Sequence, residues 1–191
     1  MVPQNIVQWI SQNYPKPTVD PDWLEACYQW ILDELHLNPA SQLDEIIANV
    51  ETQLLESDLG DSMLRGTGLP TNLAAQNNVR LRGPPVLVEI VSITEIASSA
   101  FSLLNVRQTR VDREDLAGLG EDDAAAEDEG PIPRYPRGML RMELSDGSVT
   151  LPAIEYRSLP QLQLGETPLG FKVYLCSLTQ SVYSVELADG T

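Results

Sequence analysis

The sequence predicts an α+β protein: a small three-helix bundle in residues 1–60, a linker over 61–82, and a five-stranded barrel over 83–191 with a long insertion between its first and second strands. Apolar residues recur every three or four positions up to Leu54, the helical period. After Val86 they recur every second position or in unbroken runs, as in strands. A stretch punctuated by Gly60, Gly66, Gly68 and Pro70 separates the two patterns. Composition shifts at the same place: residues 1–79 hold all three tryptophans and 11 acids against two bases, whereas residues 80–191 hold 17 acids and 10 bases.

In the first region, Pro3 followed by Ile6, Val7 and Ile10 predicts a short helix with Trp9 alongside, stopped by Tyr14-Pro15-Lys16-Pro17. Asp20-Pro21-Asp22 is a helix start: Asp20 caps free amides, Pro21 suits the first helical position, and Asp22 favours the positive end of the dipole. Trp23, Cys27, Ile31 and Leu35 then form an apolar stripe, with Trp30 beside it, until Asn38-Pro39 breaks the helix. Ser41-Gln42-Leu43-Asp44 resembles a capping box, and Leu43, Ile47, Val50 and Leu54 make the third stripe. Three helices with one apolar face each bury them together as a bundle.

In the second region, Val86–Ile93 is β-branched and nearly continuous, which predicts a strand buried on both faces. Leu140, Met142 and Leu144 alternate with Arg141 and Glu143, and Asp146-Gly147 signals a hairpin. Val149 and Leu151 continue on the return strand. Pro152 interrupts it, and the alternation resumes out of phase at Ile154 and Tyr156, predicting a bulge. Phe171–Leu175 and Val182–Leu187 supply a fourth and a fifth strand. Five short strands, with a long connection between the third and fourth, fit a Greek-key barrel of the OB type.

A formal net charge of −16 argues against strong autonomous binding to a phosphate backbone. No apolar run approaches the roughly 20 residues that span a bilayer, and the N-terminus lacks a secretory pattern. The distant Cys27 and Cys176 are expected to be reduced thiols. Enzymatic chemistry is not expected. His36 is the sole histidine and has no Cys or Ser partner motif; no zinc cluster, P-loop, Gly-x-Ser-x-Gly or dinucleotide fingerprint is present. Asp122 and Asp123 belong to a solvated acidic run rather than a magnesium site, so neither metal nor cofactor is implied.

The insertion, residues 102–137, has little repetitive pattern, and connections of that length are usually functional or disordered. Arg107, Arg110 and Arg113 stand near its start, Glu121–Glu129 is an acidic centre expected to be mobile, and Pro133-Arg134-Tyr135-Pro136-Arg137 closes it.

Several runs carry a family resemblance. Trp23-Leu24-Glu25-Ala26-Cys27, Trp30-Ile31 and Gln53-Leu54-Leu55-Glu56-Ser57-Asp58-Leu59 resemble the N-terminal region of the RecQ-mediated genome instability protein 1 family. Val88–Ile93, Met139–Gly147, Ile154-Glu155-Tyr156 and Gly170-Phe171-Lys172-Val173 follow in the family's order, so the resemblance covers roughly residues 20–175. It implies a helical bundle packed on an OB-fold, in a nuclear, non-catalytic subunit of a complex with a type IA topoisomerase (topoisomerase III) and a RecQ helicase, the helicase being reached through the topoisomerase. That complex dissolves double Holliday junctions. The resemblance further implies that the 102–137 insertion enters the topoisomerase gate and favours decatenation. Arg107, Arg110, Arg134, Tyr135 and Arg137 are the expected contacts, through charge pairing and an aromatic anchor on a stiff proline-rich backbone. Contact with DNA is expected to be weak or indirect. After Leu175 the family continues through a Gly-containing turn, an apolar strand and a Gly-Gly segment to a C-terminal helix, whereas this chain reads Cys176–Val182 and stops at Thr191, so an incomplete C-terminus is expected.

Two alternatives stay open: an OB-fold that binds single strands, with Tyr135, Tyr156, Phe171, Tyr174 and Tyr183 as candidate stacking residues, and a general protein-interaction module.

Overall fold

A computed structural model of the chain describes residues 1–73, 81–117, 132–177 and 183–187. Its elements are, in order, α1 (Gln4–Asn13), α2 (Pro21–Leu35), α3 (Leu43–Glu56), α4 (Leu59–Ser62), β1 (Val86–Glu95), α5 (Ala100–Ala117), β2 (Leu140–Ser145), β3 (Thr150–Ile154), β4 (Lys172–Ser177) and β5 (Tyr183–Leu187). Two helices depart from the three expected: α4 lies at the linker's start, and α5 lies in the insertion that sequence pattern left irregular. The fold divides into two compact units. The first gathers Met1–Ser92, Met142–Ala153 and Leu169–Thr191; the second gathers Ile93–Arg141 and Ile154–Pro168.

In the first unit the helix boundaries follow the local chemistry. Pro21 is at the first position of α2, and the Asp20 carboxylate accepts the Asp22 amide at 2.8 Å. The left-handed His36 (φ 53°) ends that helix. The start of α3 corrects the expected capping box: Gln42 occupies the cap position without a side-chain cap, and its amide nitrogen reaches Glu45 instead.

The buried face of α2 also differs from the expected stripe. Leu24, Tyr28 and Ile31 are buried, while Trp23 and Cys27 are half-buried and Trp30 and Leu35 are exposed. The face is turned so that Leu24 and Tyr28 join Ile31 at the centre and the indoles of Trp23 and Trp30 flank it. On α3, Ile46 joins Val50 and Leu54 in the core, and Leu43 and Ile47 stand at its margin. These residues form one apolar cluster with Ile6, Ile10, Tyr14, Val19, Leu59, Met63 and Leu87. Each fully buried aliphatic side chain contributes about 1.5–3 kcal/mol.

The linker packs down. Asp58 caps α4 by accepting the Gly60 amide at 2.7 Å, Met63 bridges to Val19, and Leu69 and Leu73 are buried. The Leu69 amide donates to the buried Asp146 carboxylate at 2.5 Å. The other Asp146 oxygen accepts the Ser148 and Val149 amides and closes the β2–β3 turn, where Gly147 takes φ +88°.

The sheet order is β3-β2-β1-β4-β5, with β1 between strands far from each other in sequence. β1 runs antiparallel to β4, pairing Val86 with Leu175 and Glu89 with Lys172; β4 runs antiparallel to β5, from Val173–Leu187 to Ser177–Tyr183. β3 and β5 stand at the two ends, so among the described residues no ladder closes the expected barrel. Val86–Ile90 are all buried, as the continuous apolar run requires.

β3 corrects the expected bulge. Leu151 and Ala153 are half-buried, Glu155 after them is buried, and Thr150, Pro152 and Ile154 are exposed. The alternation therefore runs through Pro152 without a slip. Ile154 and Tyr156 lie outward because a glutamate takes the inward position.

Glu89 and Lys172, opposed in the β1–β4 register, make a buried ion pair at 2.9 Å. The ammonium also donates to the carbonyls of Ser57 (2.6 Å) and Gly170 (2.9 Å), and Glu89 accepts the Leu59 amide. All three ammonium protons are thus satisfied, which a buried lysine requires. Glu89→Ala strands the ammonium and is expected to cost about 3–5 kcal/mol in urea denaturation, whereas the double change Glu89→Leu with Lys172→Met recovers most of that loss.

Candidate functional site

The second unit is built around the insertion between β1 and β2. Its first element, α5, starts at Ser99, whose hydroxyl accepts the Ser102 amide at 3.2 Å and whose carbonyl accepts that of Leu103. Ser102, Leu103, Val106 and Arg110 are half-buried along one side. The opposite side exposes Phe101 (71%), Leu104 (58%), Arg107 and Val111. Apolar residues on both sides cancel the one-sided periodicity by which a surface helix is read, so the sequence masks this helix. The available signal was the Ser99 cap.

Two buried carboxylates hold the insertion's base. Glu95, at the end of β1, accepts the amides of Ala97 (2.6 Å), Gly138 (2.7 Å) and Met139 (3.1 Å), and the Ile96 amide donates to the Met139 carbonyl at 2.9 Å. A Cβ on Gly138 would stand 2.5 Å from that of Ala97, so only glycine permits this approach. Burial opposes the Glu95 charge, yet the four amides of Gly138, Met139, Ala97 and Ser98 outweigh it and hold its carboxyl below the usual glutamate range.

Glu155, following β3, receives the Arg137 guanidinium through two bonds of 2.7 and 2.5 Å. Glu155 also accepts the Leu140 amide at 3.0 Å and the Leu159 amide. Arg137 donates further to the carbonyls of Leu159 and Leu162. Burial again opposes the Glu155 charge, and the Arg137 fork with the two amides overcomes it, so this carboxyl too lies below its ordinary range. The same fork raises the Arg137 pKa against its own desolvation.

Further out, the Arg110 guanidinium lies 5.3 Å from the centroid of the Tyr135 ring and reaches the Pro133 carbonyl at 3.5 Å. Arg134 makes an exposed ion pair with Glu166 at 3.5 Å. Of the five expected contact residues, Arg110, Arg134, Tyr135 and Arg137 are therefore all engaged inside the unit. Arg107 is exposed and makes no hydrogen bond or ion pair among the described residues. Phe101, Leu104 and Val111 extend its face, although charge spacing alone did not single them out. The acidic centre 121–129 lies outside the described residues.

Among the alternative stacking residues, Tyr174 stacks on Tyr14 at 6.1 Å and burial first of all pushes its pKa up to about 12. Tyr156 is 80% exposed, Phe171 is half-buried, and the Tyr183 side chain lies outside the described residues. Neither Cys27 nor Cys176 is in a disulfide, and burial pushes the Cys27 thiol up to about 11. Among the described residues no cluster of three metal-ligating side chains occurs, and no helix is long and apolar enough to cross a membrane.

The sequence that builds these helices and this sheet matches two models of one known family. Residues 69–182 match the family model described as "RMI1, N-terminal OB-fold domain", and residues 6–62 match "RMI1, N-terminal helical domain". The chain belongs to the RecQ-mediated genome instability protein 1 family. It carries that family's helical N-terminal domain and OB-fold domain. It is 29% identical over 175 residues to RecQ-mediated genome instability protein 1 of Xenopus laevis, covering 91% of this chain and 29% of the relative. The protein of the same name from Danio rerio is 29% identical over 175 residues, with 90% and 31% covered. That from Mus musculus is 31% identical over 150 residues, with 78% and 23% covered. The chain thus spans less than a third of the length of these relatives.

The depressed pKa values of Glu95 and Glu155 set an acid sensitivity for this OB-fold insertion. Folding favours the ionised forms, so their contribution is complete above the ordinary glutamate value of about 4.3 and is lost as pH falls through the lower folded values. Urea denaturation followed by NMR signals of the second unit is expected to show stability falling below about pH 4. Glu155→Gln flattens that fall, and Arg137→Ala costs about 3 kcal/mol at neutral pH.

Proposed function

We propose that this chain is a non-catalytic, nuclear accessory subunit of a complex between a type IA topoisomerase (topoisomerase III) and a RecQ-family helicase. In this reading it promotes decatenation and double Holliday junction dissolution, and the 102–137 insertion modulates the topoisomerase gate. Membership in the RecQ-mediated genome instability protein 1 family supports the genome-stability role and the association with a RecQ complex.

One observation carries the gate reading: an insertion anchored at its base by Glu95 and Glu155 presents a helix whose free side bears Phe101, Leu104, Arg107 and Val111. Exposed apolar side chains with an unengaged guanidinium suit an apolar groove with acidic groups at its rim. A type IA enzyme cuts one strand, opens, passes another strand and closes. A subunit that binds the open state better shifts the equilibrium by its differential affinity alone. An insertion held rigidly at its base supplies that difference, because its ordering cost is met before the partner arrives.

Within this reading Arg107 is the direct contact, joined by Phe101 and Leu104. Arg110, Arg134, Tyr135 and Arg137 keep the insertion in shape. The helicase is reached through the topoisomerase, and contact with DNA is weak or indirect, in keeping with the net charge of −16.

A second reading, direct binding of single strands by the OB-fold, has one observation in its favour: Ile154 and Tyr156 offer an exposed apolar and aromatic surface after β3. Sequence-tolerant oligonucleotide affinity with a steep salt slope, abolished by Tyr156→Ala, is its signature.

The deciding experiment is separation of catenanes by the cognate topoisomerase with and without this chain. Stimulation is expected to vanish when residues 102–137 are replaced by a short Gly-Ser linker. It is expected to fall about tenfold for Phe101→Ser combined with Arg107→Glu. Undiminished stimulation by the chain lacking the insertion sinks the gate reading.

A further inference from the structure

We infer that Arg110, Tyr135 and Gly165 form a clamp that positions α5, and so sets the direction in which Phe101, Leu104 and Arg107 are offered to a partner. The functional half of this inference rests on the gate reading above; the mechanical half stands on the chain alone.

Three segments distant in sequence converge here. Arg110 comes from the middle of α5, Pro133 and Tyr135 from the returning end of the insertion, and Gly165 from the turn before β4. The guanidinium covers one region of the Tyr135 ring at 5.3 Å. The ring also packs against the backbone of Gly165, where a Cβ would stand 2.5 and 2.7 Å from ring atoms Cε2 and Cδ2 and 3.8 Å from Arg110 Nη1. Gly165 further takes φ +79°, which side chains resist, so two independent constraints require glycine there. The Arg134–Glu166 ion pair joins the same two segments one residue along. Glu95 and Glu155 fix the insertion's base, and along α5 the half-buried Leu103 and Val106 supply apolar packing that leaves its direction to be set by a polar attachment farther out. Arg110 is that attachment, about three turns into the helix from the Ser99 cap.

The side-chain chemistry agrees with a holding role. A guanidinium placed over its own chain's tyrosine and bonded to its own chain's carbonyl has little left to give a partner. Arg107, almost one turn earlier on α5, has neither engagement. Arg107 is thus a contact residue, and Arg110 and Tyr135 are positioning residues.

The test combines amide hydrogen exchange over α5, measured on the chain alone, with affinity for the cognate type IA topoisomerase. Tyr135→Leu is expected to speed exchange in α5 about tenfold while leaving the chain's thermal midpoint in place, and Gly165→Ala to speed it at least as much while lowering the midpoint through its own backbone strain. Both are expected to weaken topoisomerase binding by roughly fivefold. Tyr135→Phe keeps the ring and is expected to match the parent in both measurements. Arg110→Ala combined with Tyr135→Leu is expected to be no worse than either alone, as for two halves of one contact. Phe101→Ser is expected to lower affinity without changing exchange.

Unchanged α5 exchange in Tyr135→Leu overturns the clamp. Faster exchange with undiminished topoisomerase affinity overturns the positioning role and leaves only a structural contact. Should Gly165→Ala fail to fold, Tyr135→Leu decides. If the parent chain itself does not bind the topoisomerase, the proposed function falls, and α5 exchange alone supports or overturns the clamp.

Discussion

A single carboxylate, that of Glu95, gathers backbone amides from two residues away and from 43 and 44 residues farther along the chain. An ionised acid buried at the end of a strand is costly unless its lone pairs are filled, and here the amides of Ala97, Gly138 and Met139 fill them. The dependence is mutual, because each of those amides gains a charged acceptor that tethers its segment. Closing a long connection costs entropy that grows only slowly with its length, so a well-satisfied junction offsets the closure of even a large insertion. Everything farther out in the second unit, from the Arg137–Glu155 fork to α5, is referred to that junction.

What the sequence disclosed and what it hid separate along physical lines. Local signals were readable: Asp20 before Pro21, the paired prolines after Tyr14, the unbroken Val86–Ile90 run and the Asp146-Gly147 turn each act through adjacent backbone. Properties set by tertiary packing were not. The α2 stripe drawn through Trp23, Cys27, Ile31 and Leu35 catches Ile31 but misses Leu24 and Tyr28 on the buried face, because size and burial are different quantities. Pro152 suggested a phase slip, but the inward position after it belongs to Glu155, whose partner Arg137 lies 18 residues away. The bond of Arg137, an expected partner contact, to Glu155 was not legible either. Charge in a proline-rich segment reads as surface until a buried acid is found opposite it. The α5 helix escaped notice because both its faces carry apolar residues, one face turned into the unit and the other exposed.

The insertion therefore divides its residues between holding and offering. Arg137, Arg110 and Tyr135 spend their hydrogen-bonding and aromatic capacity on neighbours in the same chain, which orders the segment in advance. Phe101, Leu104 and Arg107 keep theirs. In the proposed role this division matters more than the count of arginines, since a partner's equilibrium is moved only by contacts that differ between its states. A flexible segment with the same composition would adapt to both states and move neither.

The uninterrupted phase of β3 has a consequence for how copies of the chain behave together. β3 is an end strand of the sheet. Glu155 donates to the Leu140 carbonyl and Val149 accepts from the Asp146 amide, so alternate residues from Val149 to Glu155 turn their backbone groups toward β2. Pro152 falls between them, and its nitrogen faces away from the sheet. An approaching strand would need a hydrogen there and meets a pyrrolidine ring instead. The free edge is thus blunted against strand addition and cross-β stacking by a residue that costs β3 none of its bonds to β2.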